Sequence, residues 1–474
     1  MENYWVNPPP PVIGGGMGVN VSWYGLVKIL ARLGQLGTLS GVALDRVVAY
    51  ELLSGDPTGD IRRALEHFPD QRLVKEVLDA FFNEHPSKIK RHIPVFTVKP
   101  SHLLISLTIC ANYAVVWLAK EGHDNPVSIN YLEKVSMPLM YGILGAMLAG
   151  VDFVTMGAGL ALQIPKLFED ILAGRTATYH IPVIGRKEKY VMEFDPIKFF
   201  GPEFHILRKT LKRPGLIPII SSLLGAKIFK AKLPPGNVQA IVYEDLETAG
   251  GHGPFPRGRQ FKSNGEPLCD ARDETNFEEL SDLFEIWYYA GGVASPQGLA
   301  WARALGATGI QVGSILAVSN DSKMDEKLKR LVRYLGYLGL IEVYNDPYFS
   351  STGYPFKKVK NLKGTITDEQ VYLARKRICN HKCLVNLFEK PNGTIGYRCS
   401  AEPIKAYLSK GGALGDTINR GCLCEGLLST CGADPTKPSL VTLGKNVDFL
   451  RDPALMENPY DSYSAEQAIN YLLS

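Results

Sequence analysis

Through its first 345 residues the chain repeats one pattern: a short run rich in valine and isoleucine that ends in Gly, Ser or Asn and leads into a helical stretch. Eight such runs stand out: PVIGG (11–15), QLGTLSG (35–41), VSINYL (127–132), VDFVTMG (151–157), LIPIISS (216–222), VQAIVYE (238–244), EIWYYAGG (285–292) and GIQVGSI (309–315). They lack the alternation of a half-exposed sheet, as strands covered on both faces do. Eight βα units around a parallel sheet predict an α/β fold, the (β/α)8 TIM barrel.

The uneven spacing marks the insertions. Between the second and third runs lie a charged helical stretch from Leu44 to Phe82, the segment HIPVFTVK, and a helix from Ser101 to about Lys120. They predict a helical insertion over about 42–122. Between the fourth and fifth runs, TATYHIPVIGRKEKYVMEFD alternates like a hairpin turning around Gly185 and Lys187, an insertion over about 166–213. The barrel is expected over 1–345. After Gly339 the periodicity weakens, and 346–474, with KGGALGD and CGADPTKP, reads as a cysteine-rich extension.

Composition narrows the partners. With 474 residues and 45% hydrophobic content a large core is available. Lys plus Arg number 52 against 48 acidic residues, and no basic block would track a phosphate backbone, which argues against nucleic acid. The N-terminal MENYWVNPPPPVIGGG has no basic segment followed by an apolar one, and the apolar stretch 141–162 is broken by Asp152 and glycines. A cytoplasmic protein with no membrane partner is expected.

A parallel barrel carries its chemistry at the C-terminal ends of its strands, with a phosphate site commonly after strands seven and eight. Strand seven ends in AGG (290–292), followed by Ser295 as a helix cap, Pro296 at the first helical position and Gly306 as a stop. Strand eight ends in QVGS (311–314). Gly291, Gly292 and Gly313 would let backbone N–H groups approach an anionic phosphate. The loop IGGGMGVNVS after strand one lacks the G-x-G-x-x-G register of a dinucleotide fold, so Gly15, Gly16 and Met17 are better read as backbone along the edge of a flat ring. Asn130, ending strand three, can both donate and accept to a pyrimidine-like edge. After strand six comes TAGGHGPFPRG (248–258). Here Gly250 and Gly251 would clear space for a planar cofactor, and His252 would be presented over the mouth, titrating near neutral pH as the catalytic group.

Taken in order, GGM (15–17), IN (129–130), GAG (157–159), SS (221–222), AGGHG (249–253), AGG (290–292) and QVGS (311–314) resemble the nitronate monooxygenase family, formerly 2-nitropropane dioxygenases, and its relative the flavin-dependent enoyl-ACP reductase. PFPRG (254–258), RCSAEP (398–403) and CLC (422–424) are similar to a longer bacterial branch. The resemblance implies FMN across the barrel mouth, its phosphate near Gly292, Gly313 and Ser314 and its ring flanked by Gly15 to Met17, Asn130 and Ser222. Gly250, Gly251, Gly291 and Gln311 complete the implied cofactor set, and His252 is the implied base. Ser314 stands where the family usually has threonine, which keeps the hydroxyl.

The resemblance implies an oxidoreductase that oxidises nitroalkanes or nitronates with oxygen. The alternatives are an NAD(P)H-dependent enoyl-thioester reductase and a non-catalytic flavin-binding barrel acting in assembly. The partners are then a small-molecule substrate and oxygen, with a homo-oligomer left open. Six cysteines, Cys379, Cys383, Cys399, Cys422, Cys424 and Cys431, crowd the last quarter together with His381. They could ligate zinc or an iron–sulfur cluster, but without paired C-x2-C knuckles the reading is reduced, buried thiols, with no metal expected.

Overall fold

The eight apolar runs form strands β1 (Val12–Gly14), β2 (Leu36–Ser40), β3 (Val127–Leu132), β4 (Phe153–Gly157), β5 (Gly215–Ile220), β6 (Ile241–Glu244), β7 (Trp287–Ala290) and β8 (Gly309–Val312). Each pairs in parallel with the next, and β1 pairs with β8 through Val12 and Ile310, which closes the barrel. This computed structural model describes residues 4–5, 7–84 and 92–474. Residues 85–91 of the helical stretch, and residues 1–3 and 6 of the N-terminal segment read for a leader, lie outside the described residues.

The barrel interior is filled by side chains from alternating strand positions, among them Ile13, Leu36, Phe153, Ile217, Val242 and Tyr288. Trp5 packs its ring 4.4 Å from that of Phe153, and the Tyr288 hydroxyl donates to Pro10 O at 2.9 Å, so the N-terminal segment plugs the bottom. A barrel packed and plugged at one end has only its other end free for a ligand.

The stretch between β2 and β3 holds helices Leu44–Leu53, Asp60–Glu66, Gln71–Phe81 and His102–Lys120. The last is the one helix among the described residues long and apolar enough to cross a bilayer, yet 78% of its most apolar window is buried within the protein. It packs against both Tyr24–Arg32 and Leu139–Leu148, the helices that follow β1 and β3. It therefore fills the barrel's own second helix position, and among the described residues the three shorter helices are extra. The stretch between β4 and β5 contains the hairpin Ala177–Ile181 with Tyr190–Phe194, turning through Gly185 and Lys187.

The extension folds back onto the barrel. Strand Phe356–Val359 pairs with Val343–Asp346 on one side and with Gly251–His252 on the other. Strand Asn386–Glu389 pairs with Ile395–Arg398 and with Val183–Ile184 of the hairpin loop. The C-terminal helix Ala465–Leu473 lies against Tyr24–Arg32 and Pro296–Ala304, and Leu443, Phe449, Leu450 and Ile469 belong to the same hydrophobic core as the barrel helices. The tail thus covers one side of the mouth.

Candidate functional site

Glycines at the strand ends leave the mouth open. Two adjoining cavities of about 970 and 1050 Å³ lie over it, sharing Gly16, Gly18, Glu244, Gly250, Gly251 and Gln311, so they form one continuous cleft. Gly15, Gly16, Met17, Gly250, Gly251, Gly291, Gly292, Gln311, Gly313 and Ser314 line the first cavity, and Asn130 and His252 line the second. Ser222 lines neither. Its hydroxyl caps the helix Leu223–Lys232, accepting from Gly225 N at 3.4 Å, which corrects its expected place beside the ring.

At one end of the cleft the backbone conformation requires glycine. Gly291 and Gly292 adopt φ +114° and +72°, and a Cβ at Gly291 would sit 2.7 Å from Thr248 Oγ1 and 2.9 Å from Ala249 N. Only glycine fits there. The helix Pro296–Ala304 begins as its sequence implied, with the Ser295 hydroxyl accepting from Gly298 N at 3.0 Å. The Ser314 hydroxyl accepts from Gly444 N at 2.8 Å, which leaves its own proton to donate.

Across the mouth the side chains match the edge of a ring that both donates and accepts. Asn130 leaves an amide oxygen and Gln311 an amide nitrogen without a hydrogen-bond partner, although both residues are only 8% exposed. Buried amides are normally paired, so two orphans of opposite sense on one cleft fit a polar ligand that both donates and accepts. A Cβ on Gly16 would collide with Asn130, reaching 2.7 Å from its Nδ2, so this glycine is fixed by the asparagine it rests on.

His252 does reach the cleft, but not as a group that titrates near neutrality. Burial pushes its pKa down to about 3, and the nearby charge of Lys134 acts in the same direction. The imidazole is neutral at physiological pH. Its Nε2 is 2.7 Å from Ser350 Oγ, its ring meets Phe356 edge-on at 4.8 Å, and its backbone is held in the sheet opposite Phe356. With Nε2 engaged by Ser350, the imidazole lines the second cavity. Lys134 sits 3.0 Å over the Tyr354 ring, and burial brings its own pKa down to about 7.

Two parts of the site were not foreseen from the sequence. Glu244, the last residue of β6, lines both cavities, and burial raises its carboxyl while lowering the ammonium of its buried neighbour Lys357, whose Nζ donates to Leu246 O at 2.8 Å. A carboxylate ending an otherwise apolar barrel strand was the available signal. The second part is a strap, Thr442 to Asn446, from the extension. Gly251 N donates to Thr442 Oγ1 at 3.0 Å, Lys445 N to Thr248 O at 2.9 Å and Asn446 Nδ2 to Gly292 O at 3.4 Å.

The strap corrects the reading of Gly250. A Cβ there would point at the strap backbone, 3.0 Å from both Gly444 N and Leu443 C, and not at a cofactor. Gly250→Val is therefore expected to lift the strap and cost about 1–3 kcal/mol through overpacking. Limited proteolysis between residues 440 and 447 should accelerate. Unchanged proteolysis and denaturation midpoints would remove this role for the glycine. Gly251 has φ +75° and nothing within 4 Å of a Cβ, so its requirement is conformational.

No protein-family model and no curated protein matches the chain. Solved structures do resemble it. FabK from Thermotoga maritima is 14% identical, with 98% of this chain and 91% of that one covered and a TM-score of 0.45. Nitroalkane oxidase from Streptomyces ansochromogenes is 11% identical, with 98% and 94% covered and a TM-score of 0.42. The enoyl reductase domain of MlnA from the macrolactin biosynthesis cluster of Bacillus amyloliquefaciens is 12% identical, with 77% and 68% covered and a TM-score of 0.39. These likenesses are remote, and the barrel and cleft stand on the chain's own strand pairing and packing.

Two histidines whose pKa is lowered give the fold a pH dependence. His381, only 6% exposed, has its pKa lowered to about 4, chiefly by burial, and His252 is lower still. Between the unfolded value near 6.5 and these folded values the unfolded chain binds more protons, so stability is lost as pH falls through that window. Each histidine contributes a slope of up to about 1.4 kcal/mol per pH unit there. His381→Gln should flatten the decline of Tm between pH 6.5 and 4. An unchanged slope would show that His381 titrates normally in the folded state.

Proposed function

We propose that the protein is an FMN-dependent oxidoreductase that reduces the double bond of an apolar α,β-unsaturated acyl thioester, with a reduced nicotinamide as electron donor. The observation that carries this reading is His252, an imidazole held by Ser350 at the wall of an apolar cavity. FMN, when bound, supplies two-electron hydride chemistry. Gly292, Gly313 and Ser314 would hold its phosphate, and Asn130 and Gln311, with the backbone of Gly15 to Met17, would hold its ring. The two orphaned amides are the reason FMN fits.

The second cavity is lined by Val19, Val42, Leu132, Val135, Ile219, Phe356, Leu384, Leu423 and Leu427, a surface for an acyl chain rather than for a small nitro compound alone. An imidazole kept neutral by burial is a weak base but a good hydrogen-bond donor. From Nδ1 it can steady the negative charge that develops on a thioester oxygen while the double bond is reduced. In the tautomer with Nδ1 protonated, Nε2 would accept the Ser350 hydroxyl proton across their 2.7 Å contact. Proton removal from a neutral nitroalkane would suit a group of higher pKa.

A nitronate arrives already deprotonated, so nitronate oxidation is the competing reading. Anaerobic mixing of the flavin-loaded protein with NADH, NADPH or a nitronate, followed by flavin absorbance, separates them. Bleaching by a nicotinamide and recolouring by an enoyl thioester is the expected result. Bleaching by nitronate alone would overturn it in favour of nitronate oxidation, and no bleaching by any donor would leave a barrel without catalysis.

A further inference from the structure

The hydroxyl that holds His252 belongs to a chain that runs to the surface. Ser350 is fully buried, and its Oγ lies 2.7 Å from His252 Nε2 and 2.8 Å from Thr352 Oγ1. Thr352 is partly exposed, and Gly353 and Tyr354 after it are exposed. Ser350 Oγ also accepts from Thr352 N at 3.2 Å, and Thr352 Oγ1 accepts from Tyr354 N at 3.4 Å. The loop is anchored on both sides. Asp346 Oδ1 accepts from Tyr348 N at 2.9 Å and from Phe349 N at 3.0 Å, Gly421 N donates to Phe349 O at 2.9 Å, and the Arg420 guanidinium donates to Ser350 O.

A hydroxyl has one proton to donate and two lone pairs with which to accept, so Ser350 can satisfy its three contacts in two ways. In the first, it donates to Nε2 and accepts from both the hydroxyl and the N–H of Thr352, and the imidazole carries its proton on Nδ1. In the second, Nε2–H donates to Ser350, Ser350 donates to Thr352, and Thr352 donates to water. The heavy atoms are the same in both, and only the protons have moved, one step along each contact. A chain with two such states conducts protons.

We propose that Thr352 and Ser350 relay protons from solvent to His252, which passes them to the substrate once its double bond has taken up a hydride. The inference rests on the function proposed above, with a reduced nicotinamide as the two-electron donor. Hydride addition to one carbon of the double bond leaves a thioester enolate with one negative charge. Nδ1 gives its proton to that enolate, and the saturated thioester results. As it does so, Nε2 takes the Ser350 proton, Ser350 takes that of Thr352, and Thr352 takes one from water, which leaves hydroxide in solvent. After the product leaves, water in the cleft reprotonates Nδ1 and the chain runs back, returning the proton to that hydroxide. The ring stays neutral throughout, as its burial requires. Ser350 and Thr352 touch no reacting atom and act through His252.

The test uses the full-length, flavin-loaded protein, reduced by a nicotinamide and recoloured by an enoyl thioester. Thr352→Val keeps the side-chain shape and the backbone N–H but ends the chain. Recolouring should slow about tenfold, less than for a group that hands over the proton itself, because water can partly replace a distant hydroxyl. Its solvent deuterium isotope effect should rise, and Thr352→Ser should reverse both changes. Without substrate, the NMR resonance of His252 Nε2 should move in Thr352→Val, because the hydroxyl it meets has lost its own partner. If Thr352→Val fails to fold, Thr352→Ala takes its place. Recolouring at the unaltered rate, slowing with no rise in the isotope effect, or an unmoved resonance would overturn the relay and leave the proposed function standing. An unaltered protein that no enoyl thioester recolours overturns both.

Discussion

Gly313→Glu is expected to yield a folded, colourless protein. Gly313 has no positive φ, and a Cβ built on it meets nothing nearer than Met17, at 3.7 Å. The backbone therefore tolerates a side chain there. The glutamate would extend into the cavity shared with Ser314 and Gly292, placing a carboxylate where an anionic phosphate is proposed to bind. Steric and charge conflict then act together. Flavin affinity should fall by more than about 100-fold, since a like charge brought into a closed site costs several kcal/mol. Gly291→Val is the informative contrast, because its positive φ and its contact with Ala249 N should damage the fold as well as the site. Flavin content, read by absorbance after gel filtration, and Tm separate the two variants. Full flavin retention in Gly313→Glu would remove the phosphate from this end of the cleft.

The sequence revealed the barrel because its strands are covered on both faces and must be apolar throughout, a pattern that survives without knowledge of their neighbours. The observed strands lie within the expected runs, with ends that differ by up to three residues and only Gly215 falling one residue outside. The strand-end glycines were legible for the same local reason. What stayed hidden depends on contacts across long separations. Gly250 was read against an imagined cofactor when its neighbour is a strap almost two hundred residues away. Ser222 was read as a ring contact, although a serine three residues before Gly225 also has the spacing of a helix cap. The six tail cysteines have no knuckle spacing, so nothing in their order showed that four of them line one space.

The same separation explains His252. Between its glycines it looks exposed, and an exposed imidazole titrates near 6.5. Strand Phe356–Val359 covers it, Ser350 binds it and Lys134 faces it, all at least a hundred residues away except Ser350, which lies 98 residues on. The mouth of the barrel is thus finished by the extension, which also supplies Leu384, Leu423 and Leu427 to the apolar cavity. A change in the tail should alter substrate preference without touching a barrel strand.

His252→Asn should separate the two halves of turnover. Asparagine keeps a donor of similar size but loses the ring whose Nδ1 position Ser350 and Phe356 define. If the neutral imidazole steadies charge on the thioester oxygen, recolouring of the reduced protein by an enoyl thioester should slow by roughly 10²- to 10³-fold, the usual worth of one preorganised donor. Bleaching by the nicotinamide should be nearly unchanged, because His252 has no part in that step. Ser350→Ala should show a smaller loss of the same kind, since the ring remains but its orientation is no longer held by that contact. The pH profile adds an independent reading. With its pKa near 3, His252 should contribute no ionisation between pH 5 and 8 to the oxidative half-reaction. A break near 6.5 in the unaltered protein that disappears in His252→Asn would return the histidine to general-base catalysis. If neutral nitroalkane oxidation also fell far more than nitronate oxidation, the nitronate reading would replace the one proposed here.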